Sequence, residues 1–185
     1  MPLDEHLIKA ALHAGAARAT VIPGGQVVLS SAFRDMCQAN ACGKYGKCYM
    51  CPPDVGEIEG LMAIVRGYPM ALAYQSISPL EDSFDFEGME AAGLKHVRLS
   101  QRLGKALKEL LVPGYLHLTC GGCRLCESCL KPEGLPCRFP DEAMPSVESY
   151  GIDVYNTVKG TGLKYINGTN TVTYFGMVFF HPQEA

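Results

Sequence analysis

The chain has 185 residues, of which 48% are hydrophobic and 19% are charged, and its formal net charge is −3. This length and apolar content predict one globular domain, residues 1–185, and argue against disorder. With 16 Lys and Arg against 19 Asp and Glu, the chain lacks the basic excess typical of nucleic-acid binding, so we expect no nucleic-acid partner.

The first residues do not resemble a targeting or membrane segment. Met1–Ala19 carries acidic residues at Asp4 and Glu5 and only short apolar pairs, whereas a signal peptide has a basic start and a continuous apolar core. No window approaches the roughly 18 consecutive apolar residues of a membrane span. We therefore expect a cytoplasmic protein without a membrane partner, in a compartment that keeps thiols reduced.

The N-terminal region predicts a helix followed by a hairpin. Leu3–Ala17 has apolar residues at helical spacing. Pro23-Gly24-Gly25 lies between two β-branched runs, Thr20–Ile22 and Gln26–Leu29. This pattern predicts a turn that joins two paired strands.

The next segment predicts a loop, a helix and a strand. Cys37–Pro53 has little periodicity and is expected to be a loop held together by something other than its own core. Asp54 is expected to cap a helix that leaves this loop directly. Met70–Ile77 predicts a buried strand.

The middle of the chain predicts a long helix and a short strand. Apolar residues from Phe84 to Leu111 describe one face of a helix that Val112-Pro113-Gly114 ends. Tyr115–Thr119 alternates as a strand and runs directly into a second cysteine group.

The C-terminal region predicts a helix and a second hairpin. Met144–Val158 is expected to be helical, with Ser146 as its N-cap. Lys164–Ile166 and Thr171–Phe180 flank Asn167-Gly168, a frequent hairpin turn. Because helices and strands alternate, we predict an α/β fold in which a mixed β-sheet has flanking helices and two cysteine-rich metal-binding loops.

Nine cysteines, far more than core packing requires, form the two groups. In a reducing compartment such a pattern favours metal over disulfides. The first group is Cys37-x4-Cys42-x5-Cys48-x2-Cys51-Pro52-Pro53, and the second is Cys120-x2-Cys123-x2-Cys126-x2-Cys129-x7-Cys137-Arg138.

Cysteines three apart in a turn-rich run, with a further cysteine beside a proline, are typical of [4Fe-4S] sites. Nine cysteines allow two such clusters and one spare thiol. Zinc is the alternative, because pairs such as Cys48-x2-Cys51 and Cys126-x2-Cys129 can meet at a four-cysteine site. Zinc pairs usually lie a dozen or more residues apart, so the closely repeated spacing favours iron–sulfur. Buried or redox-sensing thiols are the third possibility.

Three motifs, in a fixed order, carry a resemblance to a known family. They are Arg34-x2-Cys37-x4-Cys42-x2-Tyr45-Gly46-x4-Cys51-Pro52-Pro53, then Cys123-x2-Cys126-x2-Cys129-x7-Cys137-Arg138-x-Pro140, then Pro145-Ser146-x-Glu148-x2-Gly151-Ile152-Asp153-Val154. From about Leu7 to Phe180 the chain resembles the "predicted metal-binding protein" family of bacteria and archaea. The resemblance implies a small cysteine-rich iron–sulfur protein of anaerobic metabolism, and it implies no established reaction.

Position by position, the resemblance implies seven metal ligands. Cys48 and Cys120 are less typical of the family, so either one is a candidate for the fourth ligand of the first site. If neither binds, one iron would be open to a substrate. The seven implied ligands are Cys37, Cys42, Cys51, Cys123, Cys126, Cys129 and Cys137.

Two arginines flank the cysteine groups. Arg34 and Arg138 are candidate cofactor-binding residues, because a guanidinium beside a ligand offsets thiolate charge or donates hydrogen bonds to sulfur. Ordinary ion pairing is the alternative for both.

Three functions fit the cysteine pattern. The first is an electron-transfer protein with two [4Fe-4S] clusters and a redox partner protein. The second is an enzyme whose open-site [4Fe-4S] cluster acts on a small molecule. The third is an interaction domain stabilised by zinc. We favour electron transfer over a stand-alone catalyst, because thiols bound to iron are not free nucleophiles.

Overall fold

The computed structural model describes residues 2–110 and 114–182. Helices and strands alternate along this part of the chain. The helices are α1 (Leu3–His13), α2 (Ala32–Gln38), α3 (Ile58–Arg66), α4 (Phe86–Leu110) and α5 (Val154–Thr157), and the strands are β1 (Arg18–Pro23), β2 (Met70–Pro79), β3 (Leu116–Leu118) and β4 (Thr171–Phe180).

The four strands form one sheet in the order β1-β2-β4-β3. The two central strands, β2 and β4, pair along their whole lengths, from Met70 opposite Phe180 to Pro79 opposite Thr171. The α/β class with flanking helices and cysteine-rich loops is confirmed. The sheet itself is antiparallel and not mixed as predicted, because all three strand pairs are antiparallel and the parallel bridge that joins Thr119 to Ser146 lies outside the sheet.

Both faces of the sheet are covered. Successive side chains of a strand point to opposite faces of the sheet. A strand that is covered on both faces therefore carries apolar residues at consecutive positions, as β2 and β4 do. On one face, Leu72 and Phe180 pack against α1 and α4 through residues such as Leu7 and Leu103. On the other face, Ala73, Met177 and Phe179 pack against α3 and the segment from Val147 to Val158.

The first predicted hairpin is wrong. Strand β1 pairs with β2, and Gly24–Gln26 forms a 3-10 helix where the turn was expected. The amide of Gly24 donates to the carbonyl of Pro69 at 2.7 Å, and Leu29 bridges to Ile152. Close packing of Gly24 against the α3–β2 connection therefore directs the chain away from a local turn.

The cap of α3 also differs from the prediction. The helix begins at Ile58 after Glu57, three residues later than expected, and Asp54 does not cap it. The carboxylate of Asp54 instead pairs with Lys131 at 2.9 Å.

The predicted helix over Met144–Val158 is interrupted. It is a 3-10 turn, Glu148–Tyr150, followed by the short α5, because Gly151 is left-handed at φ 73 and packs closely against the carbonyl of Ser30. Ser146 Oγ does accept a hydrogen bond from the amide of Ser149, at 3.2 Å.

The second predicted hairpin is half right. Strand β4 forms, but Lys164–Ile166 is not a strand, and β4 pairs with β2 and β3. The long predicted helix is confirmed as α4, and its expected stop at Val112-Pro113-Gly114 lies partly outside the described residues.

Among the described helices, none combines the length and the apolar character needed to cross a membrane.

Candidate metal centre

The first cysteine loop joins α2 to α3. Cys37 lies in the last turn of α2, so the helix extends two residues into the segment that was expected to be loop. Beyond it, local hydrogen bonds shape the chain. The amide of Tyr45 donates to Asn40 Oδ1 at 3.0 Å, and the amide of Gly46 donates to the carbonyl of Pro52 at 2.9 Å.

The second cysteine loop follows β3. It runs from Cys120 to Cys137, and its regular structure is a 3-10 turn at Lys131–Glu133. At the start of the loop, the amide of Gly121 donates to Glu148 Oε2 at 3.2 Å. Arg138 follows the last cysteine, is exposed, and donates from Nη1 to the carbonyl of Ser128 at 3.1 Å. Arg138 therefore braces the second loop.

The two loops are in contact. The thiol of Cys48, in the first loop, is in hydrogen-bonding contact with the thiols of Cys123 and Cys51. Tyr49 Oη donates to the carbonyl of Leu135 at 2.6 Å, which joins the loops a second time. The pair of Asp54 and Lys131 joins them a third time. The structure thus brings together two cysteine groups that are far apart in the sequence.

A narrow gap between the loops is lined by five of the nine cysteines. Its volume is about 20 Å³, and aromatic side chains of Tyr49 and Phe139 close it. The five are Cys48, Cys123, Cys126, Cys129 and Cys137. All the second-group cysteines that the resemblance identifies as ligands therefore line the same gap.

The remaining first-group cysteines lie beside one another. Cys42 is close enough to Cys37 and to Cys51 to raise the pKa of both thiols by charge repulsion, which adds to the larger effect of burial at Cys37. Cys51 also contacts Cys48. Cys48 is therefore the fourth thiol of this neighbourhood.

Cys120 has different surroundings. It is 6% exposed, and burial, followed by the nearby carboxylate of Glu148, raises the pKa of its thiol to about 12. Arg124 and a hydrogen bond to the Thr119 side chain oppose this rise. Burial and the nearby carboxylate therefore keep this thiol neutral.

The thiols at the contact between the loops shift one another's pKa. Hydrogen bonds with Cys123 and then with Cys51 lower the pKa of Cys48 well below its usual range, and the same bonds raise the pKa of Cys51 and Cys123. One of these three thiols is therefore favoured as the thiolate, the form in which cysteine binds metal.

Arg34, near Cys37 of the first group, has a buried hydrogen-bond donor that lacks an acceptor among the described residues. It is 7% exposed, and its Nη2 donates to the carbonyl of Gly56 at 2.8 Å. Its Nε has no partner among the described residues, although it is buried. The guanidinium lowers the pKa of Cys37, against the larger opposing effect of burial. An acceptor such as a thiolate or a sulfide fits this donor.

The donor set fits a metal group that prefers sulfur. All nine cysteines are free thiols. Within residues 2–110 and 114–182, no three His, Cys, Asp or Glu side chains are arranged as ligands of a single ion. A zinc ion holds its sulfurs about 2.3 Å away and hence about 3.8 Å from each other.

A family model decides how the chain is classified. The family described as "Predicted metal-binding protein (DUF2284)" matches residues 20–180. The chain belongs to this family. The matched residues extend from β1 to the end of β4 and include both cysteine loops. No curated protein and no solved structure matches the chain.

Membership confirms the resemblance carried by the three motifs. It also confirms the metal-binding expectation at the level that the family description states. Sequence reasoning missed Tyr49, which bonds to Leu135 of the other loop, and Gly122, where an added Cβ would lie 3.3 Å from Cys51 Sγ. Neither residue belongs to a ligand pattern, so their spacing gave no signal.

Proposed function

We propose that the protein binds two [4Fe-4S] clusters and transfers single electrons to a redox partner protein. The observation that supports this most directly is the meeting of the two cysteine loops at Cys48 and Cys123. Two clusters held by loops in contact would lie close to each other, as electron transfer between them requires.

The structure supports a specific division of the thiols. Four second-group cysteines face the narrow gap, and three first-group cysteines lie together with Cys48. Cys120 remains as the spare. The first cluster would bind Cys37, Cys42, Cys48 and Cys51, and the second Cys123, Cys126, Cys129 and Cys137.

Iron–sulfur is favoured over zinc by the spacing of the cysteines. The repeated three-residue spacing from Cys123 to Cys129 is that of a cluster-binding run.

The chain's own residues tune such a site. A bound cluster accepts and releases one electron at a time. Arg34, buried beside Cys37, supplies positive charge and a free N–H. Burial of Cys48 and Cys51 keeps water from one side of the site, while Cys42 is exposed. The exposed side leaves a short route from the first site to a partner protein.

Exposed apolar side chains surround the loops. Met36 is 68% exposed, and Leu135 and Phe139 are also exposed. Such side chains close to a redox site are suited to a brief contact with a partner. We propose that the partner approaches on this side.

A reductive titration tests the proposal. Protein purified without oxygen is titrated with dithionite and followed by visible absorption and EPR. We expect uptake of about two electrons per chain and two interacting S = 1/2 signals. Cys120→Ser serves as the matched control and should behave like the wild type. A protein that contains zinc and takes up no electrons would contradict the proposal.

A further inference from the structure

A polar cavity lies beside α4 and β3, and neither Arg34 nor a first-group cysteine lines it. Its volume is about 440 Å³, within the range of small-molecule sites. It is formed by α4, β3 and the segment that precedes Val147. Its polar lining includes Lys105, Lys108, Tyr115, His117, Asp141 and Glu142.

A hydrogen-bond network contacts His117. Tyr74 Oη donates to Ser100 Oγ at 2.8 Å, and Ser100 Oγ also lies 3.1 Å from the carbonyl of His96 and 2.9 Å from Thr119 Oγ1. The single proton of Tyr74 is used in the bond to Ser100. We therefore assign the proton of the second bond of Tyr74 Oη to His117 Nε2, 2.8 Å away.

The other ring nitrogen of His117 is consequently an acceptor. Burial, followed by the nearby His96, lowers the pKa of His117 to about 3, so the ring is neutral at physiological pH. A Cβ placed on Gly104 would lie 3.5 Å from His117 Nδ1, and both residues line the cavity. The lone pair of Nδ1 is thus available to a hydrogen-bond donor on that side.

The charged residues of the lining are unpaired. Lys105 and Lys108 project from α4, and Asp141 and Glu142 from the segment opposite. None of these four side chains has an ion pair or hydrogen bond with another described residue. Two positive and two negative groups that share one cavity without pairing are complementary to a ligand that carries both charges.

We propose that this cavity binds a small zwitterion of the amino-acid class. Its carboxylate would be bound by Lys105 and Lys108. Its ammonium group would donate to His117 Nδ1 and to the carboxylates of Asp141 and Glu142. This site goes beyond the proposed function and does not depend on which metal the cysteine loops bind.

The cavity is also close to the second cysteine site. Gln101, Glu142 and Met144 line both the cavity and a smaller gap of about 10 Å³ that reaches Cys123. One layer of side chains therefore separates a bound zwitterion from a proposed metal ligand.

Calorimetry with the full chain tests the proposal. The standard L-amino acids are screened first, and the tightest binder is then compared with its deaminated and its decarboxylated analogue. We expect the amino acid to bind at least about tenfold more tightly than either analogue, because each lacks one charge. The proposal is overturned if no amino acid binds at millimolar concentration, or if either analogue binds equally well.

Surface variants locate the site. We expect Lys105→Gln and Asp141→Asn each to weaken binding about tenfold. Lys95→Gln and Glu109→Gln are exposed substitutions on the same helix outside the lining, and binding should not change in them. Equal weakening in the control variants would refute the location. Binding should also move the ¹⁵N resonance of His117 Nδ1 and leave that of His13 in place. All these measurements apply equally to protein with and without metal, so their failure is distinct from failure of the electron-transfer proposal.

Discussion

The thiol of Cys48 in the first cysteine loop is in hydrogen-bonding contact with the thiol of Cys123 in the second. This contact joins the two proposed sites at their ligands. The variants below are chosen to test each site separately.

Serine substitutions should distinguish ligands from the spare thiol. We expect Cys123→Ser to lose about one cluster's worth of iron, four of about eight atoms per chain. Cys48→Ser should lose a similar amount, because Cys48 completes the first site. Cys120→Ser should lose little, because Cys120 is held neutral beside Thr119 and Glu148. Iron analysis of protein purified without oxygen measures each loss, and full iron content in Cys123→Ser would count against the ligand assignment.

Gly122→Ala should weaken metal retention without preventing folding. A Cβ at this position would lie 3.2 Å from Lys44 Cγ and 3.3 Å from Cys51 Sγ. The lysine can move, but a metal-bound sulfur cannot, so the strain falls on the metal site. We expect faster loss of metal to a chelator at unchanged helical content by circular dichroism. Gly25→Ala is the control, because nothing lies within 4 Å of its added Cβ; equal rates in the two variants would be evidence against a ligand role for Cys51.

Arg34→Lys should lower the reduction potential of the first site. The substitution keeps the charge but removes the buried Nε donor, which has no partner among the described residues. Fewer hydrogen bonds to a cluster and its thiolates make reduction less favourable. A potentiometric titration followed by EPR measures the shift. Arg138→Lys should have a smaller effect, because Arg138 is exposed and bonds to Ser128; an equal shift in both variants would argue against a specific role for Arg34.

Stability should fall as the pH is lowered through the range of histidine titration. His96 is 0% exposed, and burial lowers its pKa to about 4. Its ring stacks on Tyr74 and lies near Tyr174, and its Nδ1 is 2.7 Å from Ser76 Oγ. In the unfolded chain the pKa is about 6.5, so the unfolded state binds more protons between the two values.

The expected size of this effect is about 1 kcal/mol of unfolding free energy lost per buried histidine between pH 7 and pH 5.5. Urea unfolding at several pH values measures it. His96→Gln should flatten the pH dependence by about that amount, whereas His13→Gln, an exposed position, should leave it unchanged. An unaltered slope in His96→Gln would show that folding does not shift the pKa of His96.

Long periodic segments were predictable from the sequence. The apolar faces of α1 and α4 and the continuous apolar runs of β2 and β4 identify these elements, because their own pattern matches the surfaces that they bury. The hairpins were not predictable. Strand pairing depends on the partner, and β2 offers β1 a longer apolar match than the short run after Gly25 does.

The candidate site was predictable in composition but not in arrangement. Spacing identified the cysteines and the flanking arginines. The contact of Cys48 with Cys123, the isolation of Cys120 and the bracing role of Arg138 depend on how two irregular loops meet, and no periodicity encodes such a contact. The polar cavity beside α4 depends in the same way on a side-chain network that includes Tyr74 and His117.

Iron and acid-labile sulfide analysis of the wild-type protein, purified without oxygen, tests the central claim most directly. The proposed division of the cysteines predicts about eight iron and about eight sulfide per chain. About one zinc per chain with no sulfide would contradict it.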